Sequence, residues 1–159
     1  MKPFSKIISL SFFLFSFTIF FSSCFSQSSL PDTWQHNMSL TMTYGGGMRY
    51  YSSTVVIRED SSYSEVDEEG KITRTQLHFT KAQLDELIKT LKTNRFDKIS
   101  ADMRPGIVYD MGTSTTLLNW GNKVFGYSVG ATLEIPAKDE KRYQAVSAYL
   151  AKFMSVNTD

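Results

Sequence analysis

The chain has 159 residues, with 17 Lys and Arg against 16 Asp and Glu, one Cys, two His and 12 Phe. A near-neutral balance with no basic run lacks the electrostatic footprint that dominates nucleic-acid affinity, so a DNA or RNA partner is excluded. With no Cys after position 24, a disulfide framework and a thiolate metal site are excluded too.

The N-terminus has the pattern of an address. Lys2 and Lys6 flank the start of an apolar run over 7–21 that only Ser and Thr interrupt, and eight of the 12 Phe fall within the first 25 residues. The run is shorter than the roughly 20 apolar residues of a spanning helix, which favours a secretory signal. Phe21-Ser22-Ser23-Cys24 resembles a bacterial lipobox, with Phe21 where that pattern prefers Leu. The resemblance implies that 1–23 is removed and that the Cys24 thiol takes diacylglycerol and palmitate, anchoring the protein to a membrane of the cell envelope. Several acyl chains hold stably where one binds only marginally. Phe25 stands where Asp would imply inner-membrane retention, so the same resemblance points to the outer membrane. The alternative is an ordinary cut after Ser26, with Cys24 and Ser26 as the small residues, giving a secreted or periplasmic protein. Either cut removes two lysines and no acid, leaving a net charge of about −1 and about 133 residues, enough for one domain with a real core.

Residues 24–37 are polar around Leu30-Pro31-Asp32 and are expected to form a tether, with a single domain over 38–155. Over 39–44, Leu40, Met42 and Tyr44 alternate with Ser39, Thr41 and Thr43, the period-two pattern of a half-buried strand, which Gly45-Gly46-Gly47 ends. Strands are expected over 53–58, 63–66 and 71–79, separated by turns at 60–62 and 67–70. In the last of these, Thr73, Thr75, Leu77 and Phe79 share one face, and Arg74, Gln76 and His78 the other.

Thr80 followed by Gln83 is a capping box, and Phe79 is placed to staple onto Leu84. Leu84, Leu87, Ile88 and Leu91 form one apolar stripe, with Lys81, Asp85 and Lys89 on another side and Asn94 as the stop. With Pro105-Gly106 and Gly112, residues 101–113 are expected to be mostly loop. Strands over 115–120 and 123–129 flank Gly121-Asn122, a two-residue hairpin turn. A final helix follows Pro136, with Tyr143, Val146, Leu150 and Phe153 on one stripe. The order β-β-β-β-α-β-β-α, joined by hairpins rather than βαβ crossovers, predicts an α+β fold with two helices on one face of an antiparallel sheet.

Candidate chemistry is sparse. Gly45-Gly46-Gly47 precedes a strand rather than a helix and lacks Lys-Ser/Thr, so it fails as a phosphate loop. It does let a partner's backbone come close, and Arg49, Tyr50 and Tyr51 beside it are residue types that anchor protein interfaces. In the 101–113 loop, Arg104, Tyr109 and Asp110 are the interaction-prone members. Acids at 60, 65 and 67–69 lack the EF-hand order, and His36 and His78 are far apart with no Cys to join them, so no metal set is expected. There is no G-x-S-x-G, and nothing singles out Asp102 and Asp110 as a catalytic pair. No cofactor and no enzymatic activity are expected.

The sequence of features from the glycine-ended strand through Thr80-Lys81-Ala82-Gln83-Leu84, Asn94-Arg95-Phe96-Asp97-Lys98-Ile99, Tyr109-Asp110, the second hairpin and the helix after Pro136 resembles a group of small secreted bacterial domains. That group includes emfourin, an inhibitor of thermolysin-like metallopeptidases, and related lipoproteins. The likeness spans most of 38–154, and the chain departs from it in the long acidic hairpin over 60–70 and in the anchor. It implies a protein-binding module with a peptidase as the class of partner. The alternative is a structural envelope lipoprotein with no discrete site.

Overall fold

The computed structural model describes residues 28–46, 50–106 and 111–157. The alternating stretches pair as antiparallel hairpins: β1 (Met38–Gly45) with β2 (Tyr51–Ile57), β2 with β3 (Ser62–Glu68), and β3 with β4 (Lys71–Leu77). A two-residue strand, β5 (Asp102–Met103), precedes β6 (Thr113–Trp120) and β7 (Lys123–Val129). β6 returns to the free side of β1, giving a six-stranded sheet in the order β4-β3-β2-β1-β6-β7. Helix α1 (Lys81–Thr93) follows β4, and α2 (Ala137–Asn157) closes the fold. The α+β architecture is therefore as the sequence predicts. Within the 101–113 segment, expected to be mostly loop, the two residues of β5 pair with β8 (Leu133–Glu134) in a second, two-stranded sheet.

Register explains which residues enter the core. Leu40 lies opposite Ile57 and Leu118, Met42 opposite Val55 and Thr116, and Tyr44 opposite Ser53 and Ser114. Since side chains alternate, these rows share one face, and Leu40, Ile57 and Leu118 join Leu84, Leu87, Ile88 and Leu91 of α1 and Val146, Leu150 and Phe153 of α2 in a single cluster. The next rows point the other way and are polar: Thr43 faces Thr54 and Thr115, and Thr115 bonds Ser128 at 2.8 Å.

The ends of α1 are made locally. Thr80 accepts from the Gln83 N–H while the Gln83 side chain accepts from Thr80 N–H at 2.7 Å, the expected capping box. Phe79, just before the cap, packs against the core cluster that contains Leu84, and its ring stacks on Phe153 of α2, 5.1 Å between centroids. At the other end Asn94 caps the helix with ordinary backbone angles, and Arg95 takes the left-handed conformation, φ 53°, that starts a 3₁₀ turn at Phe96–Lys98. That turn drives Phe96 into the core against Tyr127, 5.7 Å between ring centroids.

The largest departure lies before β1. Residues 28–37, expected as part of a tether outside a domain beginning at 38, are a strap built into that domain. Leu30 and Trp34 are each only 2% exposed and belong to the central cluster. The polar residues that suggested a tether are the strap's fastenings. Trp34 N–H donates to the Asp85 carboxylate at 2.8 Å, Lys81 Nζ donates to Trp34 C=O at 3.0 Å, and Lys92 pairs with Asp32 at 2.7 Å. Ser28 Oγ donates to Asp97 Oδ1 at 2.7 Å, and the N–H and Oγ of Ser29 donate to Oδ2 at 2.9 and 3.0 Å. The solvent stripe of α1 is thus a docking rail for the strap.

Candidate docking site at the glycine end of the sheet

Two segments that sequence reasoning singled out separately meet in space. β1 runs in from the strap at Met38 and ends at Gly45, which pairs with Ser52 of β2 on one side and Thr113 of β6 on the other. The backbone beyond it therefore lies against the segment leading into β6. A Cβ on Gly46 would come within 3.2 Å of the Gly112 Cα, and Gly46 itself has φ +106°, where L side chains are strained. A Cβ on Gly112 would stand 2.7 Å from Tyr44 Oη, so the Tyr44 ring lies directly over that glycine. Gly46 needs to be glycine for its backbone angle and the close Gly112 backbone, whereas at Gly112 it is the movable end of the Tyr44 ring that fills the space of a side chain.

Around this junction apolar surface stays open. Tyr44 is 44% exposed, Tyr50 64% and Met111 43%. Tyr51 is half-buried, with its ring 6.1 Å from that of Tyr44. The neighbouring turn is stitched on by a hydrogen bond from Glu69 N–H to Tyr50 C=O at 3.0 Å. Next to these rings a cleft of about 200 Å³ opens between α2 and the sheet, lined by Met42, Ser114, Thr116, Tyr127, Tyr143, Ser147, Leu150, Ala151 and Met154. Burial pushes the Tyr127 phenol up from its ordinary pKa, only partly offset by hydrogen bonds to Ser147 and Thr116, so it stays a neutral donor. These hydroxyls give the cleft hydrogen-bonding capacity but no nucleophile with a base beside it.

Of the sequence-selected residues, the structure brings Gly45, Gly46, Tyr50 and Tyr51 together. Arg104 is committed elsewhere: its N–H donates to Thr132 C=O at 2.9 Å and its guanidinium lies 3.7 Å from Glu134, bracing the small sheet. Cys24, Gly47, Arg49, Tyr109 and Asp110 lie outside the described residues. Sequence reasoning missed Tyr44, Gly112 and Met111. Tyr44 carries the same alternation as Leu40 and Met42 and was expected to face the core, which it does, but at a row the helices leave uncovered. Among the described residues, no three His, Cys, Asp or Glu side chains are grouped to hold a metal, and no helix is long and apolar enough to cross a membrane. His36 is instead 3.2 Å from Glu59.

No protein-family model matches the chain, and no curated protein matches it in sequence.

Proposed function

We propose that this chain is an envelope-anchored lipoprotein, held through an acylated Cys24, whose domain is a protein-binding module of peptidase-inhibitor type. Its docking surface is the glycine end of the sheet. The observation that carries the reading is the convergence of the Gly46 and Gly112 backbones beneath exposed Tyr44, with exposed Tyr50 and Met111 in the chain segments that flank the junction. Tyrosine and methionine are enriched in interface cores, and an aromatic side chain near the centre of a patch supplies most of the binding energy. Backbone stripped of side chains suits a cleft that grips peptide by its main chain. The resemblance to the emfourin group names thermolysin-like metallopeptidases as the partner class to test first. The reading assigns no catalytic residue and no cofactor.

A photoreactive residue at Tyr50 in the full chain is expected to give a discrete protein adduct in the native envelope, with none from the same residue at Val124, which is 61% exposed on β7. The purified chain is expected to inhibit a thermolysin-like peptidase. Equal labelling from both positions together with no inhibition would overturn the binding reading. Incorporation of labelled palmitate that survives Cys24→Ser would overturn the anchor.

A further inference from the structure

The strap limits how far the domain can stand from a bilayer. Ser28 is pinned to Asp97, whose carboxylate side chain is fully shielded and lies in the turn that carries Phe96 against β7. Only Phe25, Ser26 and Gln27 separate Cys24 from Ser28. Four fully extended peptide steps reach at most about 14 Å. The headgroup layer alone takes up roughly 5–8 Å of that. A leash this short cannot let the domain tumble free, so the surface around Ser28 has to face the lipid.

That surface has the charge to suit. Ser28, Asp32, Lys89, Lys92 and Thr93 line an open depression beside the end of α1, and Arg95 and Lys98 follow in the next turn. Four cationic side chains there stand against two carboxylates, Asp32 paired with Lys92 and Asp97 paired with Lys98, while the rest of the chain after residue 26 carries 11 bases against 14 acids. Lysines held within a Debye length of a bilayer are attracted to anionic headgroups. Resting on the acylation of Cys24 proposed above, we infer that the surface of Ser28, Lys89, Lys92 and Lys98 is the bilayer-facing side of the domain and meets anionic phospholipid headgroups.

The test uses the full chain, processed in a bacterial host and reconstituted into vesicles of phosphatidylethanolamine and phosphatidylglycerol. Its own thiol is consumed as a thioether once acylated, so Lys89→Cys and Glu68→Cys variants each carry one fluorophore. Glu68 is exposed, and β3 lies four strand spacings, about 19 Å, from β7. A headgroup-attached quencher is expected to quench the Lys89 label several-fold more than the Glu68 label. Inserting about fifteen Gly/Ser residues between Gln27 and Ser28 should weaken that contrast, leaving what headgroup attraction alone sustains. Equal quenching in an acylated protein, or a complete loss of contrast with the spacer in place, overturns the inference. A mass for the N-terminal peptide that shows no acyl chains sinks the anchor itself, so the two failures are distinguishable.

Discussion

At the Met38 end of β1 the chain arrives through a strap whose Leu30 and Trp34 are 2% exposed, whereas at the Gly45 end it leaves beside Tyr44 and Tyr50 at 44% and 64%. The local compositions would suggest the reverse, since seven of the ten strap residues over 28–37 are polar and the other end is rich in Tyr and Met. What decides burial is where the helices lie. α1 offers the strap an apolar flank and a row of charged partners in Lys81, Asp85 and Lys92. Beyond the cleft that α2 forms with Met42 and Ser114, the last row of the same sheet face is left to solvent.

The largest expected effect follows from treating the strap as core. Trp34→Ala should cost about 3–5 kcal/mol, read as a shift in urea midpoint with an unchanged slope. The Trp34 indole N–H is buried and finds no partner among the described residues, so the gain there is apolar burial. Trp34→Phe should therefore recover most of the loss. A Trp34→Ala protein as stable as the parent would return 28–37 to the status of a tether and erase the contrast between the two ends.

A smaller loss is expected at the strap's polar fastening. Burial pushes the Asp97 carboxyl up, but hydrogen bonds from Ser29, Ser28 and Lys98 outweigh it and hold the group below the ordinary carboxylate value. The Lys81 ammonium, and then the Trp34 N–H, hold Asp85 low in the same sense. With folded pKa values depressed, the unfolded chain binds more protons in this range, so stability rises with pH there. The contribution is complete above about pH 4, the unfolded value, and is lost as pH falls through the folded values. Asp97→Ala should cost about 1–3 kcal/mol at neutral pH and flatten the acid limb of the stability curve. An unaltered acid limb would show that Asp97 does not fasten the strap.

At the opposite end the expected change in stability is slight and the change in shape is larger. Gly112→Ala places a methyl group 2.7 Å from Tyr44 Oη, and the ring is free to swing outward because that side is exposed. A cost within about 1 kcal/mol is expected, with the Tyr44 ring resonances displaced and partner binding weakened. A cost several times larger, with the ring unmoved, would mean that Gly112 serves folding alone.

Legibility from the sequence divides along the same line. The α1 stripe, its capping box, the hairpin at Gly121-Asn122 and the antiparallel α+β plan all follow from periodicity and turn chemistry that act over a few residues. The strap was illegible because Leu30 and Trp34 show no period of their own, and its fastenings reach 51 residues on, from Trp34 to Asp85, and 69, from Ser28 to Asp97. Pairing of β1 with β6 has the same cause: no local signal says that a strand more than 60 residues later will return to that side. The glycine end was half legible. Gly45, Gly46, Tyr50 and Tyr51 stood out by composition, while Tyr44 and Gly112 matter only because that register brings them into contact. Arg104 looked available in sequence and is held by Glu134 because β8 supplies a partner 30 residues on.

The smallest effect on the fold, and the sharpest on function, belongs to Tyr50. Its side chain is 64% exposed, so its removal forfeits little burial, and Tyr50→Ala should leave stability within about 0.5 kcal/mol of the parent. If the glycine end is the docking surface, the same substitution removes an interface anchor worth about 2 kcal/mol, which weakens partner binding roughly 30-fold. Val124→Ala, at a comparably exposed position on β7, supplies the control, with no change in either quantity. A Tyr50→Ala protein that keeps full affinity would move the docking surface off the glycine end. Binding and stability lost together would show that Tyr50 is a structural residue despite its exposure, and the two ends of β1 would then differ only in degree.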